Sequence, residues 1–270
     1  MEKVNQRLKL IQHLSKGLMG FLWLLSALFP FETKAESLKI ISDEETEQFL
    51  TSIVQPLFKA AGLSFRKENL FIVEDSTLNA FVADGNTLFI HTGTLVKAGN
   101  SNELAGVLAH ETGHIMGGHI LRQKLKSREL SHVSLASAIV AGTAAVLSGR
   151  GDAAFAVLMG GQSSALSNYL HYRTAEERSA DEAAVKLLEK THQSPQGILD
   201  FMKKIKKENE LSGREETPYF RTHPITTERI NFFKKAVQES SAPLSKSDDQ
   251  FLRIQAKLKA YLQSPEQTLR

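Results

Sequence analysis

The chain has 270 residues, no cysteine, 41% hydrophobic residues and a formal charge of +3. The absence of cysteine excludes a disulfide scaffold, thiolate metal sites, a cysteine nucleophile and a lipidated cysteine, while the apolar fraction is that of a globular chain. The surplus charge lies in residues 1–35, which hold five basic and two acidic side chains; the remainder carries 28 of each, leaving no electrostatic footprint for nucleic acid.

In chain order, residues 1–16 are basic and polar, residues 17–31 are apolar and uncharged, and Thr33 and Ala35 are small. This order reads as an export leader cleaved after Ala35, which implies a periplasmic body. A retained N-terminal membrane anchor is the alternative, although residues 17–31 as a helix span about 22 Å against a hydrocarbon core of about 30 Å. Residues 43–61 place Phe49, Ile53, Leu57 and Phe58 at helical spacing, and Gly62 ends that helix. Residues 70–73 read as a short strand. Residues 78–83 and 87–92 read as two more around Asp84-Gly85-Asn86, a hairpin signal. Asn100 or Ser101 caps a helix over about 102–116, which Gly117-Gly118 loosens or ends.

Residues 133–166 are rich in small side chains and read as two closely packed helices, too polar and interrupted for a membrane span. Residues 168–191 form a charged helix, residues 195–208 another, and residues 224–239 a third opened by Pro224. Residues 240–248 look like a linker before a terminal amphipathic helix over 249–263, with Phe251, Leu252, Ile254, Leu258 and Leu262. The basic runs from Arg122 to Arg128 and from Lys203 to Lys207 read as solvated faces.

The chemistry sits at His110-Glu111-Thr112-Gly113-His114. On a helix, residues four apart differ by about 40° of rotation, so His110 and His114 share a face and can grip one metal ion, with Glu111 beside them to reach a water. Leu104, Val107, Leu108 and Ile115 make the helix apolar, and two unpaired histidines and a carboxylate buried on it would be costly. A catalytic zinc needs a third protein ligand and an open position. His119 is the nearest candidate, but it lies about 140° around the helix and faces away unless Gly117-Gly118 breaks it; a core or surface role suits it better. Glu177 and Asp181 are the stronger pair. Spaced one turn apart, they can supply one carboxylate ligand and one carboxylate to hold the free ring nitrogen of a metal-bound histidine, while Glu176, about 100° away, meets solvent.

These motifs resemble the HtpX/Oma-type gluzincin metallopeptidases, metallopeptidase family forty-eight. The resemblance rests on HETGH after Glu103-Leu104-Ala105-Gly106-Val107-Leu108-Ala109, on Glu177 with Ala180-Asp181, on Asn79-Ala80-Phe81 followed by Gly85, on residues 89–95, and on Thr222-His223-Pro224 with Arg229-Ile230 behind it. It covers about residues 40–238. Family members commonly carry an arginine seven residues before the aspartate; Thr174 stands there, with Arg173 one earlier. The elements and the resemblance together imply a mostly helical α+β zincin-type domain, with a small antiparallel or mixed sheet beside the metal helix. The expected organisation is a leader over 1–35, a peptidase domain over 36–240, and a linker and terminal helix over 241–270.

The resemblance further implies one zinc ion held by His110, His114 and Glu177, with Asp181 behind the ligands and Glu111 as general base. His223 is implied as a second catalytic donor to the oxyanion, or more plainly as a helix-entry residue before Pro224. Asn79 and Ala80 are implied as an edge that pairs with an extended peptide, or Asn79 as a turn-flanking residue. The expected activity is zinc-dependent hydrolysis of peptide bonds in unfolded or misassembled envelope proteins, in contact with the envelope membrane. The contrasting expectation is a non-catalytic, chaperone-like module that holds such proteins around a structural zinc.

Overall fold

The computed structural model describes residues 38–262, apart from 84, 149–150, 212–216 and 244–247. The leader and its cleavage site lie outside the described residues. Helix α1 (Glu44–Ala60) starts where Asp43 accepts a hydrogen bond from the Thr46 amide, carries Glu44, Glu45 and Glu47 in its first turn, and gives way to Gly62 at φ +72°. Its apolar stripe buries Phe49, Leu50, Val54, Leu57 and Phe58.

Four strands follow from alternating, β-branched and aromatic stretches. They are β1 (Ile40–Ile41), β2 (Leu70–Val73), β3 (Ala80–Ala83) and β4 (Thr87–His91), in the order β1-β2-β4-β3. β2 runs parallel to β4, and the other two pairings are antiparallel. The hairpin expected around residue 85 closes β3 onto β4, with Gly85 at φ +92°, a backbone conformation glycine adopts without strain. Leu88 and Ile90 turn inward to the core, while Phe71, Phe89 and Phe81 stack across the other face with centroids 5.3 and 4.9 Å apart. β3 forms one edge of the sheet.

A short helix α2 (Thr92–Lys97) leads to α3 (Ser101–Gly117), whose first turn is capped by Asn100 accepting from the Glu103 amide. α3 is buried on every side from Asn102 to His114. Such a helix needs small residues where neighbours cross. A Cβ on Gly106 would meet the Ile198 amide nitrogen at 2.5 Å, and one on Gly113 would meet the Ala180 carbonyl oxygen at 2.7 Å.

Next come α4 (His119–Ser148) and α5 (Gly151–Lys190). Their extents differ from the sequence expectation. α4 begins directly after Gly118, and the second small-residue helix is continuous with the charged helix. The change in composition near residue 167 does not end the helix, and Gly160-Gly161 lies inside it without a proline to stop it. No helix among the described residues is long and apolar enough to cross a membrane.

α6 (Gln196–Leu211), α7 (Pro218–Thr222), α8 (Thr227–Glu239) and α9 (Asp249–Leu262) complete the described chain. The helix expected from Pro224 starts at Thr227 instead. Thr226 takes the cap position, its hydroxyl accepting from the Arg229 amide, while the Pro224 carbonyl accepts from the Arg229 side chain. Lys204, within a run expected to be solvated, reaches back to the buried Glu103 at 2.6 Å. α9 belongs to the core: Phe251 stacks on Phe49 at 5.8 Å, and Ile254 and Leu258 are buried.

Candidate metal centre

His110 and His114 face the same way from α3, with Nε2 atoms 3.1 Å apart. α5 crosses that face where Gly113 meets Ala180, which carries Glu177 to 3.4 Å from both imidazole Nε2 atoms. The turn after α7 brings in His223, whose Nδ1 lies 3.1 Å from Glu177 Oε1. One donor atom from each of His110, His114, Glu177 and His223 lies within 4.8 Å of the others, and all four residues are buried. The expected trio is therefore together, and His223 stands among the same donors.

The remaining ring nitrogens are held from behind. His110 Nδ1 lies 2.9 Å from Asp181 Oδ1, as the spacing of Glu177 and Asp181 anticipated. His114 Nδ1 lies 2.9 Å from His119 Nδ1. The turn through Gly118, at φ +62°, ends α3 and redirects the chain. This places the His119 ring over Gly117, where a Cβ would come within 2.1 Å of it. His119 thus lies behind the clustered donors with its ring against that of His114, and the Gly117-Gly118 pair is the sequence signal for that turn.

Arg229 is the other residue that sequence reasoning did not place. Its guanidinium makes paired hydrogen bonds to Asp181 at 2.6 and 2.8 Å and reaches Glu177 at 2.9 Å. Arg173 donates to the Thr222 carbonyl. A cation was required by charge alone, since two carboxylates cannot share a buried site uncompensated. Glu176 is buried, not solvated: it accepts from Gln123 at 2.9 Å.

Charge and burial oppose each other here. Burial favours the neutral form of His110, but the Asp181 and Glu177 carboxylates outweigh it and hold the pKa up at about 9. For His114 burial wins, joined by the charge of His110, and the pKa is pushed down to about 3. Burial raises the Glu111 carboxyl above its ordinary value. Against the same burial, His223, His110 and His114 hold Glu177 well below the usual range, and Arg229 lowers Asp181.

Glu111 lies beside the donors, its Oε1 3.6 Å from His223 Nε2, buried and with no hydrogen-bond partner among the described residues. Two imidazoles four apart on a helix and a downstream carboxylate make a nitrogen-oxygen donor set of the kind zinc takes, and the unpaired Glu111 oxygen fits a base aimed at that ion's reactive side. At the sheet edge, Asn79 is buried, its carbonyl accepting from the His91 amide at 3.0 Å and from the Thr94 hydroxyl at 2.7 Å. That bond makes Asn79, Phe81 and Ala83 the residues bonded to β4, so Ala80 and Val82 direct their main-chain groups to the free edge.

The chain is 23% identical over 214 residues to the Beta-barrel assembly-enhancing protease of Yersinia pestis, covering 79% of this chain and 43% of that protein. To Metalloprotease YcaL of Escherichia coli it is 27% identical over 171 residues, 63% of this chain and 62% of the relative. To the Mitochondrial metalloendopeptidase OMA1 of Schizosaccharomyces pombe it is 31% identical over 86 residues, 32% of this chain and 26% of the relative. The chain spans less than half the length of the assembly-enhancing proteases it matches. Residues 44–237, from the first turn of α1 to the last turn of α8, match Peptidase family M48, and the chain belongs to that family of zinc metallopeptidases.

Proposed function

We propose that this chain is an exported zinc-dependent metalloendopeptidase that hydrolyses peptide bonds in misfolded or misassembled envelope proteins. The observation that carries the reading is the convergence of four buried donors beside an unpaired, buried Glu111 carboxylate. The relatives named for β-barrel assembly support the substrate class, and the basic and apolar order of residues 1–35 supports export to the periplasm.

His110, His114 and Glu177 would hold the ion, with Asp181 and His119 fixing the two imidazoles from behind. Bound zinc supplies a Lewis acid that polarises the peptide carbonyl and lowers the pKa of water toward about 7. Glu111 accepts a proton from the attacking water and delivers it to the nitrogen as the C–N bond breaks. Its location in a site closed to bulk water raises its basicity, which suits that shuttle. The outward main-chain groups of Ala80 and Val82 would pair with an extended peptide, and the buried, unpartnered Asn79 Oδ1 is an added acceptor at the same edge. Recognition of this kind reads the main chain, and fits a substrate defined by being unfolded.

One observation favours a second reading. His223 makes a fourth protein donor, and a zinc with four protein ligands is closed, as structural sites are. In that reading the chain binds unfolded envelope proteins without cutting them. A casein digestion assay separates the two, using protein recovered from the envelope fraction, whose first residue should be Glu36. Wild-type protein is expected to cleave and to stop on chelation. Glu111→Gln should lose at least about a hundredfold in rate with its zinc retained. Equal activity of Glu111→Gln would overturn the base assignment, and absence of cleavage by zinc-loaded wild type would overturn the peptidase reading.

A further inference from the structure

Tyr219 packs against His223 and has no role in the chemistry above. It lies in α7, which Thr217 caps and Pro218 opens, so the ring sits on a fixed turn. The side chain is completely buried. Phe201 meets its edge at 86° and 5.5 Å, and its face tilts against the His223 imidazole at 4.7 Å. Its hydroxyl is nevertheless without a hydrogen-bond partner among the described residues. Buried hydroxyls are almost always paired, and an orphan calls for a reason.

The surroundings of the hydroxyl suggest one. Its ring lies against the His223 imidazole, which itself stands 3.6 Å from Glu111 and 3.1 Å from Glu177, so the phenol borders the metal centre. Among the orphaned polar atoms of this interior are Glu111 Oε1, an acceptor, and the Tyr219 hydroxyl, a donor. Of the other donors nearby, His223 Nε2 stands 3.6 Å from Glu111 Oε1, and the rest are committed. Arg229 is bound to Asp181, Glu177 and the Pro224 carbonyl, His119 to His114, and His223 Nδ1 to Glu177. The resemblance implies His223 as a donor to the oxyanion, and the Tyr219 ring lies against that imidazole.

We propose that the Tyr219 hydroxyl is a catalytic hydrogen-bond donor to the carbonyl oxygen of the scissile peptide as water adds to its carbon. The inference rests on the peptidase reading and names the group that receives the developing charge. The hydroxyl keeps its proton throughout: the carbonyl oxygen gains charge and returns it when the C–N bond breaks, while Glu111 alone carries the proton from water to nitrogen. A preorganised donor of this kind is worth about a hundredfold or more in rate.

The test is Tyr219→Phe, which keeps the ring against His223 and Phe201 and removes only the hydroxyl. Zinc per chain and melting temperature are expected to be unchanged, or the latter raised, because an unpaired buried hydroxyl is lost. kcat on casein should fall by about a hundredfold with little change in KM. Affinity for a phosphinic peptide, whose tetrahedral phosphinate imitates the charged oxygen, should fall at least about tenfold. A variant within twofold of wild type in both kcat and phosphinate affinity overturns this inference and leaves the peptidase reading intact. A variant that loses zinc or melts lower shows a packing role and overturns it as well. Zinc-loaded wild type that neither cleaves casein nor binds the phosphinate overturns both readings together.

Discussion

Glu177 and Asp181 are carboxylates one turn apart, each under 4% exposed, and Arg229 is the guanidinium that bridges them. Removing one member of a buried charge cluster leaves the others uncompensated, at a cost of about 3–5 kcal/mol. Arg229→Met is therefore expected to lower unfolding stability by that amount in the zinc-free protein, measured by denaturant titration, although no metal ligand has changed. The balance at His110 sets a second expectation. A ligand imidazole must be neutral, and His110 in the metal-free centre is held protonated up to about pH 9. Zinc then competes with one proton, and its apparent affinity should weaken about tenfold for each pH unit below 9. Competition with a chromophoric chelator at pH 7, 8 and 9 reads that slope, and a flat response would show that His110 is neutral throughout.

Between elements, the centre depends on how closely α3 and α5 cross. Gly113, inside the HETGH motif, lets the Ala180 carbonyl approach where a Cβ would stand at 2.7 Å. That approach delivers Glu177 to the two imidazoles. Gly113→Ala keeps every ligand yet sets its Cβ against the Ala180 backbone, so the helices must move apart. Overpacking of this kind costs about 1–3 kcal/mol. The variant is expected to fold, with a lower melting temperature, and to retain less than one zinc per chain after dialysis against a weak chelator. Full zinc retention would mean that α5 adjusts without moving Glu177. α6 makes the matching approach at Gly106, so α3 is pinned at two levels.

Across the whole described fold, the terminal helix is the element whose role the sequence left most open. α9 inserts Phe251, Ile254 and Leu258 against α1 and α2, and Gln255 donates to the carbonyls of Leu95, Val96 and Ala98 at the end of α2. Lys257 reaches Asp43 and Glu45 at the start of α1. Each buried apolar side chain is worth about 1.5–3 kcal/mol, so three of them rival the total stability of an ordinary domain, about 5–15 kcal/mol. Deleting residues 249–270 is expected to abolish cooperative thermal unfolding or lower the midpoint by well over 10 °C, not to release activity. A stable truncation with raised activity would make α9 an inhibitory cover instead.

The sequence by itself determined the elements that carry the chemistry. The periodicity of residues 43–61, the hairpin around Gly85 and the run from Asn100 to Gly117 are local patterns, and the HETGH spacing fixes two ligands on one face through helical geometry alone. Glu177 and Asp181 were legible for the same reason. Only the tertiary structure decided what stands behind and across from them. His119 turns inward because Gly118 adopts a left-handed conformation, Arg229 arrives from 48 residues beyond Asp181, and Tyr219 enters on a short helix too brief to leave a periodic signal. These are contacts between segments far apart in the chain, chosen by packing and by the need to compensate buried charge, and neither of those acts within the span of a local pattern.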